Sequence, residues 1–465
     1  MVREGRGIQP HPRKKEEVNF MVISPLALSL IGVGVLLVLL ALGMSIGISM
    51  FAVGFFGCLA AYLAKGLSFA QASTAAFIVF KRVPFTQATN YSFVVIPLFI
   101  LMGQICFYSG MSAGLYDMCH KLLGTLRGGL AMASVAACAL FGAICGSAAA
   151  TAATMGVVAL PEMKKHGYSD SLSTASIAAG GTLGILIPPS TGFILYGIVS
   201  GESVGKLFAA GIIPGIIMAL CFCVTIAIWC KVKPDAAPDK MKFTVKEKLI
   251  SLKGGLPMVV LFVVVIGGIL TGFFTAVEGS AVGVVVSFIY LCIKKQANMK
   301  NIIASLKDTV TQSGMIFLIL IGAYVFGNFL TVTQLPTTLA SFVNTLTVSR
   351  WIVMIVILII YAIMGCFMDS LAMVMLTVPI FYPIIISLGF DGIWYGVIMV
   401  MVMQLGLITP PVGMSAYIIQ GVAKDVSLAT VFKGLVPLVL AMVVSIAIVC
   451  FVPQSALLLA NLVTV

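Results

Sequence analysis

The sequence predicts an all-α polytopic membrane protein made of two inverted structural repeats. Three observations lead to this class: the composition, the length of the apolar runs and an internal repeat. Of the 465 residues, 61% are hydrophobic and only 9% are charged, and the mean hydropathy is +1.17. Soluble domains carry about 25% charged residues, so a water-soluble enzyme is excluded. The apolar runs suit transmembrane helices and lack the alternating segments of an outer-membrane barrel.

The net charge of +12 lies mostly in a polar N-terminal tail, residues 1–21, and in connectors between the apolar runs. The positive-inside rule places the basic connectors in the cytoplasm. The position of this positive charge indicates the membrane topology and contact with lipid headgroups. It does not indicate a nucleic-acid partner. The four most basic connectors are residues 121–127, 164–166, 231–253 and 294–307.

The cysteines and histidines predict no cofactor. The eleven cysteines form no C-x-x-C pair, and most lie within apolar runs, where cysteine behaves as a small hydrophobic residue. His11 lies in the tail and His120 and His166 lie in connectors, so they cannot complete a metal site with the cysteines. No H-E-x-x-H or G-x-S-x-G motif occurs on the spans, so we expect no enzyme.

Two apolar runs are interrupted at their centres and predict re-entrant hairpins. Run 129–162 breaks at GAICGSAAAT, and each half reaches only about 21–24 Å as a helix, short of the ~30 Å membrane core. Because both flanks of this run are basic, we expect a hairpin that enters from the cytoplasm; two thin ordinary helices are the alternative. Run 351–388 breaks at GCFMDSLAM. Its flanks carry only Arg350 and Asp391, so it should enter from the periplasm.

An internal repeat relates the two halves of the chain. LGILIPP at 183–189 matches LGLITPP at 405–411, which lies 222 positions later. The same offset carries Ser147, in the first hairpin tip, onto Asp369 in the second. An odd number of crossings separates equivalent residues, so the repeats should be inverted. The predicted divisions are repeat one at 22–230, a basic cytoplasmic linker at 231–256, repeat two at 257–453 and a C-terminal tail at 454–465.

This topology puts both termini outside the cytoplasm. Lys14 and Lys15 then lie on the side that the positive-inside rule disfavours. The conflict favours Met21 as the first residue.

Paired prolines predict a broken helix in each repeat. Pro188-Pro189 and Pro410-Pro411 lie within runs 171–199 and 391–421. Each proline in a helix interior removes a backbone donor and costs about 3 kcal/mol or more. Unwound backbone at membrane depth is tolerated where it lines a cavity, and matching breaks in two repeats indicate a transporter site. A pair of structural kinks is the alternative.

The broken ends offer binding groups of both signs. Unwound carbonyls and helix C-termini suit Na⁺, and helix N-termini suit a substrate carboxylate. The first predicted sodium and substrate site comprises Gly146, Ser147, Thr151, Thr182, Gly184, Pro188, Pro189 and Ser190. The second comprises Gly365, Asp369, Ser370, Gly406, Thr409, Pro410, Pro411, Gly413 and Ser415.

Three acidic residues have different predicted roles. Asp369 lies at a membrane hairpin tip, where a carboxylate is costly and predicts a cation or proton partner, with helix capping as the alternative. Glu278 follows a turn at the start of a span and is predicted to cap a helix. Glu202, in the G-E-S turn, is predicted to be solvated.

Five segments resemble the large, DctM-like membrane subunit of tripartite ATP-independent periplasmic (TRAP) transporters. They are GSAAATAATMG (146–156), KHGYSDSLSTASIAAGGTLGILIPPS (165–190), SVGKLFAAGIIPG (203–215), FMDSLAMVMLTVPIFYPI (367–384) and LGLITPPVGM (405–414).

The resemblance implies a Na⁺-coupled, elevator-type importer in the bacterial inner membrane. Its substrate would be an organic acid, such as sialic acid, a dicarboxylate or a keto acid, handed over by a periplasmic substrate-binding protein. A small four-helix membrane subunit is expected as a separate chain. The runner-up function is a self-sufficient Na⁺–anion symporter of related fold. A channel would need a continuous polar filter, which dead-end hairpins do not provide.

Overall fold

The computed structural model describes residues 24–238, 242–346 and 348–463. The predicted tail at 1–21 lies outside these residues. Within them, all regular structure is helical, which confirms the all-α class. Eight helical segments in the described part of the chain are long and apolar enough to cross a membrane.

The described residues of the first half form ten α-helices, with 3-10 turns at Tyr91–Val94, Leu183–Ile185 and Pro234–Ala236. The helices are α1 (Pro25–Ala41), α2 (Ile46–Ala64), α3 (Phe69–Ala88), α4 (Val95–Tyr108), α5 (Met111–Leu123), α6 (Gly129–Cys145), α7 (Ala148–Lys165), α8 (Asp170–Thr182), α9 (Thr191–Ser200) and α10 (Val204–Val232).

The second half also contains ten α-helices among the described residues. They are α11 (Val245–Leu270), α12 (Ala276–Ile293), α13 (Met299–Val332), α14 (Leu335–Thr345), α15 (Arg350–Gly365), α16 (Ser370–Ser387), α17 (Gly392–Ile408), α18 (Met414–Val422), α19 (Leu428–Phe451) and α20 (Gln454–Ala460). The membrane-length segments are α2, Tyr91–Tyr108 with α4, α10, α11, α12, α13, α16 and α19.

The internal repeat is visible in the order and bounds of the helices. Both ends of α16 lie 222 positions after the corresponding ends of α7. The pairs α6 and α15, α8 and α17, α9 and α18, and α10 and α19 follow in the same order. The inverted orientation and the membrane face from which each hairpin enters stay predictions of the charge pattern.

The two repeats exchange contacts through their hairpins. Helix α7 packs against α18, and its repeat equivalent α16 packs against α9. Lys164 at the end of α7 forms an ion pair with Asp425 in the loop after α18. Between α16 and the loop after α9, the Tyr382 hydroxyl donates to Glu202 Oε1, 2.7 Å away. Glu202 is therefore half-buried and bonded, and the prediction of a solvated side chain was wrong.

Some polar segments that the hydropathy pattern left outside the spans are helical. Helix α11 begins at Val245, inside the segment assigned to the linker, because the Thr244 hydroxyl and the Glu247 carboxylate form a capping box. Helix α20 lies in the predicted C-terminal tail and packs on α10. Glu278 closes another capping box with Thr275, whose backbone N–H donates to Glu278 Oε2 at 2.9 Å.

Candidate functional site

The first hairpin turns over two residues, Gly146 and Ser147. Gly146 has φ +62°, a left-handed conformation that glycine adopts without steric cost. A Cβ there would also lie 2.7 Å from the Pro189 carbonyl oxygen of the broken helix. Ser147 is the N-cap of α7, and its Oγ accepts a hydrogen bond from the Ala150 N–H at 3.4 Å. The tip is thus packed directly against the first break.

The first break separates α8 from α9. It contains a 3-10 turn and the cis Pro188-Pro189 bond, and the helix resumes at Thr191. Ser190 caps the new helix by accepting from the Phe193 N–H at 3.2 Å. The Thr191 hydroxyl donates to the Gly146 carbonyl at 2.8 Å, which ties the break to the hairpin tip.

The second repeat builds a tip and a break in the same way. Asp369 is the N-cap of α16, and its Oδ2 accepts from the Leu371 N–H at 3.1 Å. Helix α17 ends at Ile408, and the cis Pro410-Pro411 bond follows. Gly413, with φ +61°, then precedes α18.

Glycine pairs bring each hairpin against its broken helix. A Cβ on Gly142 would lie 2.5 Å from Gly184 Cα, and a Cβ on Gly406 would lie 2.4 Å from Gly365 Cα. Such separations leave no room for a side chain, so the backbones are in direct contact. The same contact therefore occurs in both repeats.

The tips and breaks meet at one small space of about 30 Å³, named here the tip cavity. It receives residues from the starts of four helices: α7, α9, α16 and α18. The lining residues are Ser147, Ala148, Ala149, Ile185, Thr191, Asp369, Ser370, Leu371, Leu407, Met414, Ser415 and Ile418.

The electrostatics of the tip cavity combine both signs of charge. A helix N-terminus carries about half a positive elementary charge, so four of them favour an anion. Asp369 adds one carboxylate, and none of the ion pairs formed by the described residues includes it. A cation and an anion bound together would thus each meet groups of opposite sign.

The structure brings together only some of the predicted site residues. Ser147, Asp369, Ser370 and Ser415 line the tip cavity directly. The remaining hydroxyls bond to backbone carbonyls: Thr151 to Ser147 at 2.7 Å, Thr182 to Ala179 at 2.7 Å, Ser190 to Ile185 at 2.5 Å and Thr409 to Leu405 at 2.6 Å. The predicted glycines and prolines shape the tips and breaks. The assignment of all these residues to ion and substrate sites stays a prediction.

Two polar residues near the breaks were missing from the predicted site. Thr191 lines the tip cavity, and its position directly after the Pro-Pro-Ser sequence was the available signal. Gln404 is fully buried in the last turn of α17, and neither amide atom has a hydrogen-bond partner among the described residues. Its signal was an amide within an apolar run, just before the LGLITPP motif and 222 positions after Thr182.

Comparison with solved structures supports the fold. The chain is similar to the YdaH transporter of Alcanivorax borkumensis, with a TM-score of 0.59 and 14% identity over 83% of this chain and 88% of that one. Similarity to MtrF of Neisseria gonorrhoeae gives the same TM-score and 15% identity, over 82% and 84% of the two chains.

Sequence comparison identifies the family. The profile described as "Tripartite ATP-independent periplasmic transporter, DctM component" matches residues 33–455. A C4-dicarboxylate TRAP transporter large permease, DctM of Pseudomonas aeruginosa, is 35% identical over 81% of this chain and 88% of its own length. The sialic acid TRAP large permease SiaM of Vibrio cholerae is 30% identical over 80% and 87%. The chain therefore belongs to the TRAP transporters as a large permease subunit, a multi-pass protein of the inner membrane.

Proposed function

We propose that the chain is a Na⁺-coupled secondary importer of an organic acid, which a periplasmic substrate-binding protein delivers. A small four-helix membrane subunit, as a separate chain, completes the complex. The observation that carries the proposal is the tip cavity, where four helix N-termini and the Asp369 carboxylate meet at two helix breaks.

The helix N-termini support an anionic substrate. Each one stabilises a negative group by about 0.3–1 kcal/mol at an exposed site, and more when the site is partly buried. Relatives are named for C4-dicarboxylates, isethionate and sialic acid, all of which are organic anions. An anionic acid group held by N–H groups at the tip cavity accords with both observations.

Asp369 and the unwound carbonyls support sodium as the coupling ion. Na⁺ is a hard ion that takes oxygen ligands, and a buried carboxylate gives it a full counter-charge. Na⁺ beside Asp369 neutralises the negative charge of the carboxylate, so a substrate anion can bind at the tips without repulsion. Binding of the ion and of the acid would therefore be cooperative.

An elevator mechanism requires the hairpins to move, and the size of the tip cavity accords with such a movement. About 30 Å³ holds a water-sized occupant and excludes an organic acid, so the tips must separate or move to admit substrate. Outside the hairpins and breaks, α2 packs on α13 and α4 packs on α12. We propose that these four helices form the scaffold against which the hairpins and broken helices move.

The test is uptake by proteoliposomes that contain the chain, its small subunit and the cognate binding protein. The probes are radiolabelled succinate, sialic acid and pyruvate, each with an inward Na⁺ gradient or with choline in its place. We expect uptake of one acid that requires both Na⁺ and the binding protein. Sodium-dependent uptake without the binding protein would support a self-sufficient Na⁺–anion symporter instead, and uptake without sodium would overturn the coupling.

A further inference from the structure

A second cavity of about 120 Å³ lies between the first hairpin and the proposed scaffold, and is named here the lateral cavity. Its walls come from α4, α6, α7 and α13. An engineered cavity of about 150 Å³ binds benzene, so this space accepts a fragment of a few heavy atoms. Unlike the tip cavity, it has room for part of an organic molecule.

The lateral cavity collects three polar side chains from three helices: Gln104 of α4, Thr154 of α7 and Gln312 of α13. Each is half-buried, and none makes a side-chain hydrogen bond to another described residue. Polar residues on membrane helices are costly and commonly mark a substrate path. Two amides and one hydroxyl supply both donors and acceptors.

The lateral cavity adjoins the first hairpin tip. Cys145 and Ala150, which line it, flank the tip residue Ser147 on either side along the chain. A Cβ on Gly103 would lie 3.0 Å from Cys145 Cα, so α4 runs close against the end of α6. A molecule held by the helix N-termini at the tips could therefore extend into the lateral cavity when the tips separate.

The polar groups of the lateral cavity restrict what they can recognise. Among its lining residues, all of which the structure describes, none is charged. A second carboxylate would lack a cationic partner there, and burying an unpaired charge is costly. Hydroxyl, keto and amide groups, in contrast, can each pair with Gln104, Gln312 or Thr154.

We propose that the lateral cavity is a specificity subsite, in which Gln104, Thr154 and Gln312 hydrogen-bond the uncharged polar end of the substrate. The substrate class is then a monocarboxylate that bears hydroxyl, keto or amide groups, and dicarboxylates are disfavoured. This inference rests on the proposed function, which places the substrate carboxylate at the hairpin tips.

Cys145 provides a direct readout, because this half-buried residue lines the lateral cavity. The purified chain is treated with N-ethylmaleimide in NaCl, with sialic acid, gluconate or succinate added, and modification is measured residue by residue by mass spectrometry. Cys292 on α12 is exposed and serves as the internal control. We expect sialic acid or gluconate to slow modification of Cys145 and to leave Cys292 unchanged, while succinate protects at least tenfold less well.

The variants are Gln104→Leu combined with Gln312→Leu, and Thr154→Val alone, which keeps the shape of the side chain. The matched control is Gln420→Leu, a half-buried amide on α18 outside the lateral cavity. We expect half-protection of Cys145 to need about tenfold more acid in the double variant and several-fold more in Thr154→Val. The control should match the wild type, and a cooperative melting transition like that of the wild type checks that each variant is folded.

Equal protection in the wild type and in folded variants would overturn the subsite, as would protection of Cys145 by succinate alone. If the double variant does not fold, the comparison is made with Thr154→Val alone, and wild-type protection of Cys145 in that variant would overturn the subsite. Wild-type uptake in proteoliposomes separates the two proposals. Without uptake of any acid, the proposed function fails; with normal uptake and unchanged variants, only the subsite fails.

Discussion

Ser147 and Asp369 are 222 positions apart in the sequence, cap equivalent helices and line the same cavity. One offers a hydroxyl dipole and the other a carboxylate, so the two repeats are equivalent in backbone and unequal in charge. If one ion binds in each repeat, the ion beside Asp369 gains a counter-charge that the ion beside Ser147 lacks. We therefore expect the two repeats to contribute unequally to coupling.

Sodium should stabilise the purified protein. A ligand that binds only the folded state adds RT ln(1 + [L]/Kd), about 2.7 kcal/mol at 100 Kd. The melting temperature should rise with NaCl and stay constant with equimolar choline chloride. An equal response to the two salts would argue against specific sodium binding.

Gly406→Ala should disrupt the contact between the second hairpin and its broken helix. The added Cβ would lie 2.4 Å from Gly365 Cα, and overpacking of this kind costs about 1–3 kcal/mol. The matched control is Gly314→Ala in α13, where nothing lies within 4 Å of the new Cβ. The control should be neutral or stabilise by about 0.5–1 kcal/mol. Equal melting temperatures for the two variants would contradict the packing argument.

The predicted topology places the two tips on opposite sides of the membrane. Ser147→Cys and Asp369→Cys, each on a cysteine-free background, can be labelled with a membrane-impermeant maleimide. With both transport states sampled, Ser147→Cys should react mainly from the cytoplasm and Asp369→Cys mainly from the periplasm. Reaction of both thiols from a single side would refute the inverted arrangement.

His120 should make stability depend on pH. It lies on α5, which is outside the membrane-length helices, and its ring packs 5.2 Å from Phe243 and 5.9 Å from His166, measured between centroids. Burial, and next the charge of His166, lower the pKa of His120 below 6.5, although Asp117 and Glu162 partly oppose this and Lys121 adds to it.

The sign of the effect follows from that direction. A depressed pKa means that the unfolded chain binds the proton more readily, so stability is full above pH 6.5 and falls as the pH drops through the folded pKa. We expect the melting temperature to decrease between pH 7 and pH 5, and to decrease less in His120→Phe, which keeps a ring against Phe243. An identical pH slope in this variant would assign the dependence to other groups.

The sequence predicted the spans and breaks well because prolines, glycines and apolar runs act locally. Pro188-Pro189 must interrupt a helix wherever the chain folds, and so must Pro410-Pro411. The start of α11 at Val245 was missed because its first turns are charged, and a helix in a polar segment depends on the capping box at Thr244. A hydropathy pattern does not detect a capping box, because it measures only how apolar each residue is.

The composition of the tip cavity was predictable only in part. Ser147 and Asp369 could be paired from the repeat offset, because the offset is a property of the sequence. Thr191 and Met414 enter the cavity because the repeats exchange hairpin contacts, α7 with α18 and α16 with α9. Contacts between residues more than 150 positions apart leave no periodic signal in one sequence. The lateral cavity was missed for the same reason, since Gln104 and Gln312 come from different repeats.

Asp369 should serve the coupling ion more than the fold. Asp369→Asn keeps the size and one acceptor oxygen, so it can still cap α16, but it removes the charge. At an effective dielectric of about 20, a unit charge pair 4 Å apart is worth roughly 4 kcal/mol, and losing half of that weakens ion affinity by more than tenfold. The variant should therefore fold and dock its binding protein, yet need over tenfold more sodium for half-maximal uptake.

Asp391→Asn is the matched control for this prediction. Asp391 also caps a helix, accepting from the Trp394 N–H at 2.8 Å, but it lies outside the tip cavity. Because an asparagine is an equally good cap, this variant should keep both its stability and its wild-type sodium dependence. If Asp369→Asn also retained the wild-type sodium dependence, or if it failed to fold while Asp391→Asn folded, the carboxylate of Asp369 would be a structural cap. A shifted sodium requirement in Asp369→Asn alone would separate ion binding from capping, since the two variants lose the same charge at the same kind of helix position.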